Sequence, residues 1–139
     1  MEVRFPNGVA VRAAALADRV ANEGWRTFGL YLDPRWSPSW PAMVVTWQDF
    51  GLPEDWDRAA KEIRRAFAMA ESGEHVEIGC AGGLGRTGTV LACMAVLSGI
   101  DHEKAVEWVR ANYDRRAVET DEQSSWVEWF ANDMRRVDG

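Results

Sequence analysis

The chain has 139 residues, 47% of them hydrophobic, a formal net charge of −6 and two cysteines. That length builds one hydrophobic core and not two, so a single domain over residues 1–139 is expected. The acidic balance argues against a broad nucleic-acid surface, no apolar run approaches a membrane span, and no N-terminal stretch has a signal-peptide layout, so a cytoplasmic protein is expected.

Glu2 to Arg12 reads as two short strands around Pro6-Asn7-Gly8, a hairpin-turn sequence. Ala13 to Asn22 predicts a short helix stopped at Gly24. Thr27 to Leu32 and Ala42 to Thr46 are apolar in the manner of strands, and between them the Pro-rich stretch from Asp33 to Pro41 is a loop by composition. Asp55 to Ser72 places Ala59, Ile63, Ala66, Phe67 and Ala70 on one helical face, and Gly73 ends it. Glu74 to Cys80 is a strand, and Arg86 to Ser98 is a helix ended by Gly99. Asp101 then caps a helix over Glu103 to Asn112, and Thr120 caps a last one running to about Val137. Strands that give way to helices and return predict an α/β fold, with a mainly parallel central sheet flanked by helices and covered on both faces. Ligands of such folds bind at the carboxyl ends of the strands, here beyond Cys80.

The segment at that strand end is Cys80-Ala81-Gly82-Gly83-Leu84-Gly85-Arg86-Thr87-Gly88. Its glycines let the backbone N–H groups of Ala81 to Arg86 turn inward at the positive end of the following helix, which makes a nest for a phosphate dianion. Arg86 adds a planar fork of donors that stays charged at any ordinary pH. In the same field a thiol at Cys80 is expected to ionise below its free pKa of about 8.5 and to act as a nucleophile. Thr87 stands where its hydroxyl can donate to the sulfur. The plainer alternative, a buried Cys ending a strand before a turn, leaves Gly82, Gly83, Gly85 and Arg86 unexplained at this register.

These residues resemble the signature H-C-x-x-G-x-x-R-[ST]-G of the cysteine-dependent protein tyrosine phosphatases, and the form found here looks most like compact dual-specificity and bacterial members. The nucleotide-binding loop GxxxxGK[ST] is not matched, since no Lys follows the glycines. Upstream, Trp47-Gln48-Asp49-Phe50-Gly51-Leu52-Pro53 is similar to the family's acid loop W-P-D-F-G-x-P, with Gln48 in place of the first proline. The match implies that Asp49 is the general acid, whose protonation of a leaving group is worth about 10²–10⁴ in rate; an ordinary turn aspartate is the alternative. Downstream, Val118-Glu119-Thr120-Asp121-Glu122-Gln123 is similar to the family's V-[EQ]-T-x-x-Q segment. That resemblance gives Gln123 the water that hydrolyses a phosphocysteine, while Thr120 and Gln123 also read as a helix capping box.

The chain departs from the family at Gly79, where a histidine usually braces the loop and helps keep the sulfur ionised. His75 lies at the far end of the same strand and does not replace it. Arg116 stands where proline is common. Among the eight tryptophans, Trp25, Trp56, Trp108, Trp126 and Trp129 read as core or helix-docking residues, whereas Trp36 and Trp40 in the Pro-rich loop, together with Phe50, are candidate substrate contacts. Cys93 falls in an apolar helix and reads as core, with a resolving thiol for oxidised Cys80 as the alternative.

The resemblance implies a phosphomonoester hydrolase acting on a phosphorylated protein, tyrosine or dual-specificity, or on another phosphoester such as a phosphoinositide. It implies no cofactor, and His75 and His102 are too isolated for a metal site. A phosphate-binding pseudophosphatase is the alternative from another class, and sulfur or arsenate redox chemistry on a similar loop is a third. Oligomeric state is not legible in the sequence.

Overall fold

The computed structural model describes residues 1–138. Its strands are β1 (Glu2–Arg4), β2 (Ala10–Ala15), β3 (Phe28–Tyr31), β4 (Ala42–Val44) and β5 (Val76–Cys80), and its helices are α1 (Trp56–Glu71), α2 (Gly85–Leu97), α3 (His102–Asn112) and α4 (Asp121–Asp138). The strands form one sheet in the order β1-β2-β5-β3-β4, in which only the β1–β2 pair is antiparallel. The expected α/β fold with a mainly parallel sheet is therefore present. β5 runs between β2 and β3, with Ala15 opposite Cys80 on one side and Tyr31 opposite Gly79 on the other.

Period-two alternation decides what each face of the sheet carries. Val11, Ala13, Phe28, Leu30, Val76, Ile78 and Cys80 join the main core, to which all four α-helices contribute. α2 is buried on every side from Gly85 to Val96, as a helix apolar all round must be, and it contacts β5, α1, α3 and α4. Its first turn, which carries Arg86 and Thr87, is thereby fixed against the sheet.

The opposite face differs from expectation. Among the described residues it is covered by the loop rings of Trp36 and Trp40 and by no α-helix: Ala14, Tyr31 and Trp36 form a separate cluster, with Leu16, Trp40, Ala42 and Val44 packed against it. The helix expected over Ala13 to Asn22 is likewise replaced by the end of β2 and a single 3₁₀ turn, Leu16–Asp18. Pairing with β5 draws Ala13, Ala14 and Ala15 into the sheet, a tertiary gain that overrides the helix preference of alanine.

Local signals set the remaining boundaries. Asp55 accepts a hydrogen bond from Arg58 N to cap α1, and Asp101 does the same for Glu103 N at α3, each satisfying a donor the helix cannot satisfy itself. Gly73 and Gly99 follow α1 and α2 with φ of +99° and +112°. Among the described residues no helix is long and apolar enough to cross a membrane.

Candidate active site

Cys80 is the last residue of β5 and is 2% exposed. Its Sγ accepts hydrogen bonds from Gly83 N at 3.2 Å and Thr87 Oγ1 at 3.0 Å. The first bond requires the chain to double back within three residues, and Gly83 allows it with φ of +73°. A side chain at Gly83 would also press on the β2 backbone, since a Cβ there would lie 3.2 Å from Ala15 N. Tyr113 Oη donates to Gly83 O from the α3 end, and Leu16 N donates to Ala81 O at 3.0 Å. The loop is thus tied to the sheet and to the helical layer.

Arg86 is 2% exposed and makes its bonds to groups outside the loop. Nη1 donates to Leu32 O at 3.0 Å and Trp47 O at 2.8 Å, and Nη2 donates to Asp33 Oδ2 at 3.1 Å. Its Nε is buried with no partner among the described residues. A buried donor left in that state costs free energy until an acceptor arrives. Asp33, which sequence reasoning treated only as part of a loop, is shared with Arg35, whose Nε and Nη2 lie 3.0 and 2.9 Å from its two oxygens. The Arg35 hydrogen bonds above all, with Arg86 adding to them, hold the Asp33 carboxyl well below the usual carboxylate range against the opposing effect of burial.

Asp49 lies above this guanidinium, with Oδ1 3.6 Å from Arg86 Nη2 and a side chain 55% exposed. The loop that carries it is closed by a bridge between Trp47 and Pro53 and by Gly51 N donating to Gln48 O at 2.9 Å. Trp47 is buried against Trp126 of α4, with ring centroids 5.2 Å apart, and its Nε1 donates to Gly51 O at 2.7 Å. Phe50, next to the acid, is 59% exposed with φ of +59°, a strained conformation for an aromatic residue. A cleft of about 340 Å³ lies between these groups, lined by Asp33, Arg35, Thr46, Trp47, Asp49 and Arg86 among others.

Gln123 is fully buried and bonded at both ends of its amide. Its Oε1 accepts from Glu119 N at 2.9 Å and its Nε2 donates to Gly51 O at 3.1 Å, while its own N–H bonds Thr120 Oγ1 at 3.1 Å. The capping half of its double reading is realised, with Glu119 N taking the place of the Thr120 N–H. The second bond couples α4 to the acid loop. Val118, just before, has φ of +60°, costly for a β-branched residue; Arg110 holds this backbone through Ala117 O at 2.9 Å and Val118 O at 2.7 Å. The segment packs so closely on α2 that a Cβ at Gly88 would lie 2.7 Å from Ala117 Cβ. Burial and the nearby Asp49 raise the Glu119 pKa, with Arg86 opposing them.

The structure brings Cys80, Arg86, Thr87 and Asp49 together, but it corrects the expected substrate contact of Trp36. Trp36 is 2% exposed and stacks on Tyr31 at 4.2 Å, on the sheet face behind the loop, so its ring is closed to a substrate. Trp40 turns its Nε1 to Tyr31 Oη at 2.9 Å and its face to Arg26 at 3.8 Å. Cys93 is buried in α2, and burial raises its thiol pKa well above the ordinary value. Arg116 pairs with Asp114 at 3.1 Å in a second cleft of about 380 Å³ behind Gly82 and Gly83.

A family model described as "Swiss Army Knife protein, DSP-PTPase phosphatase domain" matches residues 44–129, the span that holds Asp49, Cys80, Arg86 and Gln123. An uncharacterized protein of Methanocaldococcus jannaschii, MJECL20, is 38% identical over 108 residues, covering 69% of this chain and 70% of its own. Among solved structures, Tk-PTP in its active form matches with a TM-score of 0.64 and 21% identity over 88% of this chain and 90% of that one. PTPMT1 matches with a TM-score of 0.75 and 15% identity over 100% of each chain, and a second PTPMT1 structure, in complex with PI(5)P, matches with a TM-score of 0.69 and 12% identity over 99% of each.

Proposed function

The chain belongs to the dual-specificity-type, cysteine-dependent protein tyrosine phosphatases, and from that premise we propose that it hydrolyses phosphomonoesters through a phosphocysteine on Cys80. The observation that carries this reading is the buried Arg86 Nε without a partner, in the same loop as a sulfur that already accepts two hydrogen bonds. A phosphoryl oxygen is the acceptor that such a donor lacks.

In the first step Cys80 Sγ attacks phosphorus in line, the ester P–O bond breaks, and Asp49 gives its proton to the departing oxygen. Arg86 and the amides of Ala81, Gly82, Gly83, Leu84 and Gly85 hold the equatorial oxygens as charge builds on them. Thr87 stabilises the sulfur as it attacks and again as it leaves. In the second step water attacks phosphorus, its proton passes to the Asp49 carboxylate, the S–P bond breaks, and inorganic phosphate departs. Gln123 orients that water with the amide N–H its observed bonds leave over. No cofactor enters either step.

The substrate is a phosphorylated protein or a small phosphoester, met by the exposed Phe50 at the rim. The single domain spans residues 1–139 and works in the cytoplasm, where a reducing environment preserves the thiol.

Hydrolysis of para-nitrophenyl phosphate between about pH 5 and 8, beside Cys80→Ser, tests the proposal across the range in which thiolate and acid must coexist. Wild-type turnover with a Cys80→Ser variant that binds phosphate but releases no product is expected. Turnover independent of Cys80 overturns the covalent route, and phosphate binding without wild-type turnover makes the chain a pseudophosphatase. A panel of phosphotyrosine, phosphoserine and phosphoinositide substrates then sets the class.

A further inference from the structure

Gly79 leaves the phosphate loop without the side chain that ordinarily braces it, and the structure shows what occupies that space. A Cβ built on Gly79 would lie 2.6 Å from Trp36 Cζ2 and 2.9 Å from Tyr31 Cδ1. The glycine is therefore demanded by the two rings laid across it. From that position Trp36 Nε1 donates a buried hydrogen bond of 3.2 Å to the Cys80 carbonyl, the first acceptor of the loop.

The indole is itself held in place. It lies nearly parallel to Tyr31, at 12°, and Tyr31 Oη donates to Glu77 Oε1 at 2.6 Å. Glu77, fully buried on β5, also accepts from Asn22 Nδ2 at 2.6 Å and pairs with Arg26 at 3.3 Å. Burial and the Glu77 carboxylate push the Tyr31 hydroxyl far above its ordinary pKa, so the ring stays a neutral donor. The backbone reinforces the same placement, because Trp36 N closes a turn on Asp33 O at 3.1 Å. Residues 32–36 consequently reach both ends of the phosphate loop: Trp36 takes Cys80 O, while Leu32 O and Asp33 take the Arg86 guanidinium.

Resting on the phosphatase reading, we propose that Trp36 is the positioning residue that replaces the missing loop brace, fixing the Cys80 peptide so that the sulfur faces Gly83 N and Thr87 Oγ1. It never touches substrate. Unlike an imidazole, an indole N–H does not titrate in the working range. The brace is thus constant with pH, and the profile of the reaction carries no limb from it.

Trp36→Phe keeps an aromatic ring beside Tyr31 and removes the donor together with part of the indole's packing on Gly79. Losing one buried hydrogen bond at the nucleophile is expected to lower kcat about tenfold with KM for para-nitrophenyl phosphate nearly unchanged. The pH midpoint for carboxymethylation of Cys80 by iodoacetate should move up by about one unit, the equivalent of that fold-change. A kcat and a midpoint equal to wild type, in a protein with unaltered circular dichroism, overturn the proposal. Trp36→Leu, read by the same iodoacetate midpoint, decides the matter independently if Trp36→Phe fails to fold. A midpoint moved up supports the brace, and one equal to wild type refutes it. Wild-type protein that does not hydrolyse phosphoesters would sink the phosphatase reading alone, since the alkylation midpoint reports the brace without turnover.

Discussion

The phosphate loop and the acid loop approach one guanidinium from opposite conditions of burial. Cys80, Arg86 and Thr87 are almost wholly enclosed; all their side-chain polar atoms but Arg86 Nε are bonded, to the 32–36 turn, to Trp47 O or within the loop and the first turn of α2. Asp49 and Phe50 stand more than half exposed on a short turn, whose main ties to the body of the protein are the Trp47 ring, the Trp47–Arg86 bond and the bonds received by Gly51 O. Under the proposed roles the nucleophile is thus preorganised by the core, whereas the acid is carried on a segment with few buried contacts, the kind that opens at low free-energy cost. In the proposed mechanism the rigid, buried half supplies electrostatic grip and the exposed half the leaving-group chemistry.

The strongest challenge to that division is Asp49→Asn. It should slow hydrolysis of phenyl phosphate by about 10²–10⁴ and that of para-nitrophenyl phosphate far less, because only the poorer leaving group needs a proton. Equal losses for the two esters would show that Asp49 does not donate. Arg86→Lys strikes the rigid half and should reduce kcat/KM about a hundredfold for both esters alike, since the charge remains and the planar fork does not. Its melting temperature should also fall, because Leu32 O, Trp47 O and Asp33 then share one ammonium group.

Gln123→Ala tests the connection of the acid loop to α4. Freeing Gly51 O and Glu119 N should cost about tenfold in kcat, with the larger loss on phenyl phosphate; unchanged kinetics would leave Trp47 as the sufficient anchor. The smallest effect is read as stability against pH in Asp33→Asn. The folded carboxyl of Asp33 titrates below its unfolded value, so its contribution is present in full above the usual carboxylate pKa of about 4 and is lost as pH falls towards the folded value. The difference in melting temperature between wild type and variant should be constant at neutral pH and shrink below about pH 4. A difference that persists unchanged into acid would mean that Asp33 acts through packing alone.

Much of the rigid half was legible from residue order. Local rules bind Gly83 to its turn, Thr87 in the first turn of α2 to the sulfur seven residues before it, and Asp55, Asp101 and Thr120 to their caps. The helix expected after Ala13 was misread for the opposite reason: alanine carries no signal strong enough to resist an adjacent strand, and β5 supplied one. Residue order places Asp33 and Trp36 in a loop, with Trp36 as a candidate substrate contact, because their partners, Arg86 and Cys80, lie 53 and 44 residues away. A buried charge such as Glu77 within an apolar strand was the one available hint that this sheet face holds a polar network.

The sequence by itself nominates the nucleophile, the anion nest and the acid of the proposed mechanism, since each is a short motif whose chemistry follows from adjacent residue types. Only the tertiary structure decided how the loop is held. A glycine at position 79 reads in sequence as a missing side chain, and in the fold as the space filled by Trp36, whose indole donates to the Cys80 carbonyl. The physical reason is that a hydrogen bond is indifferent to the length of chain between donor and acceptor, so a brace supplied from β3's side of the sheet leaves no trace next to the cysteine it steadies.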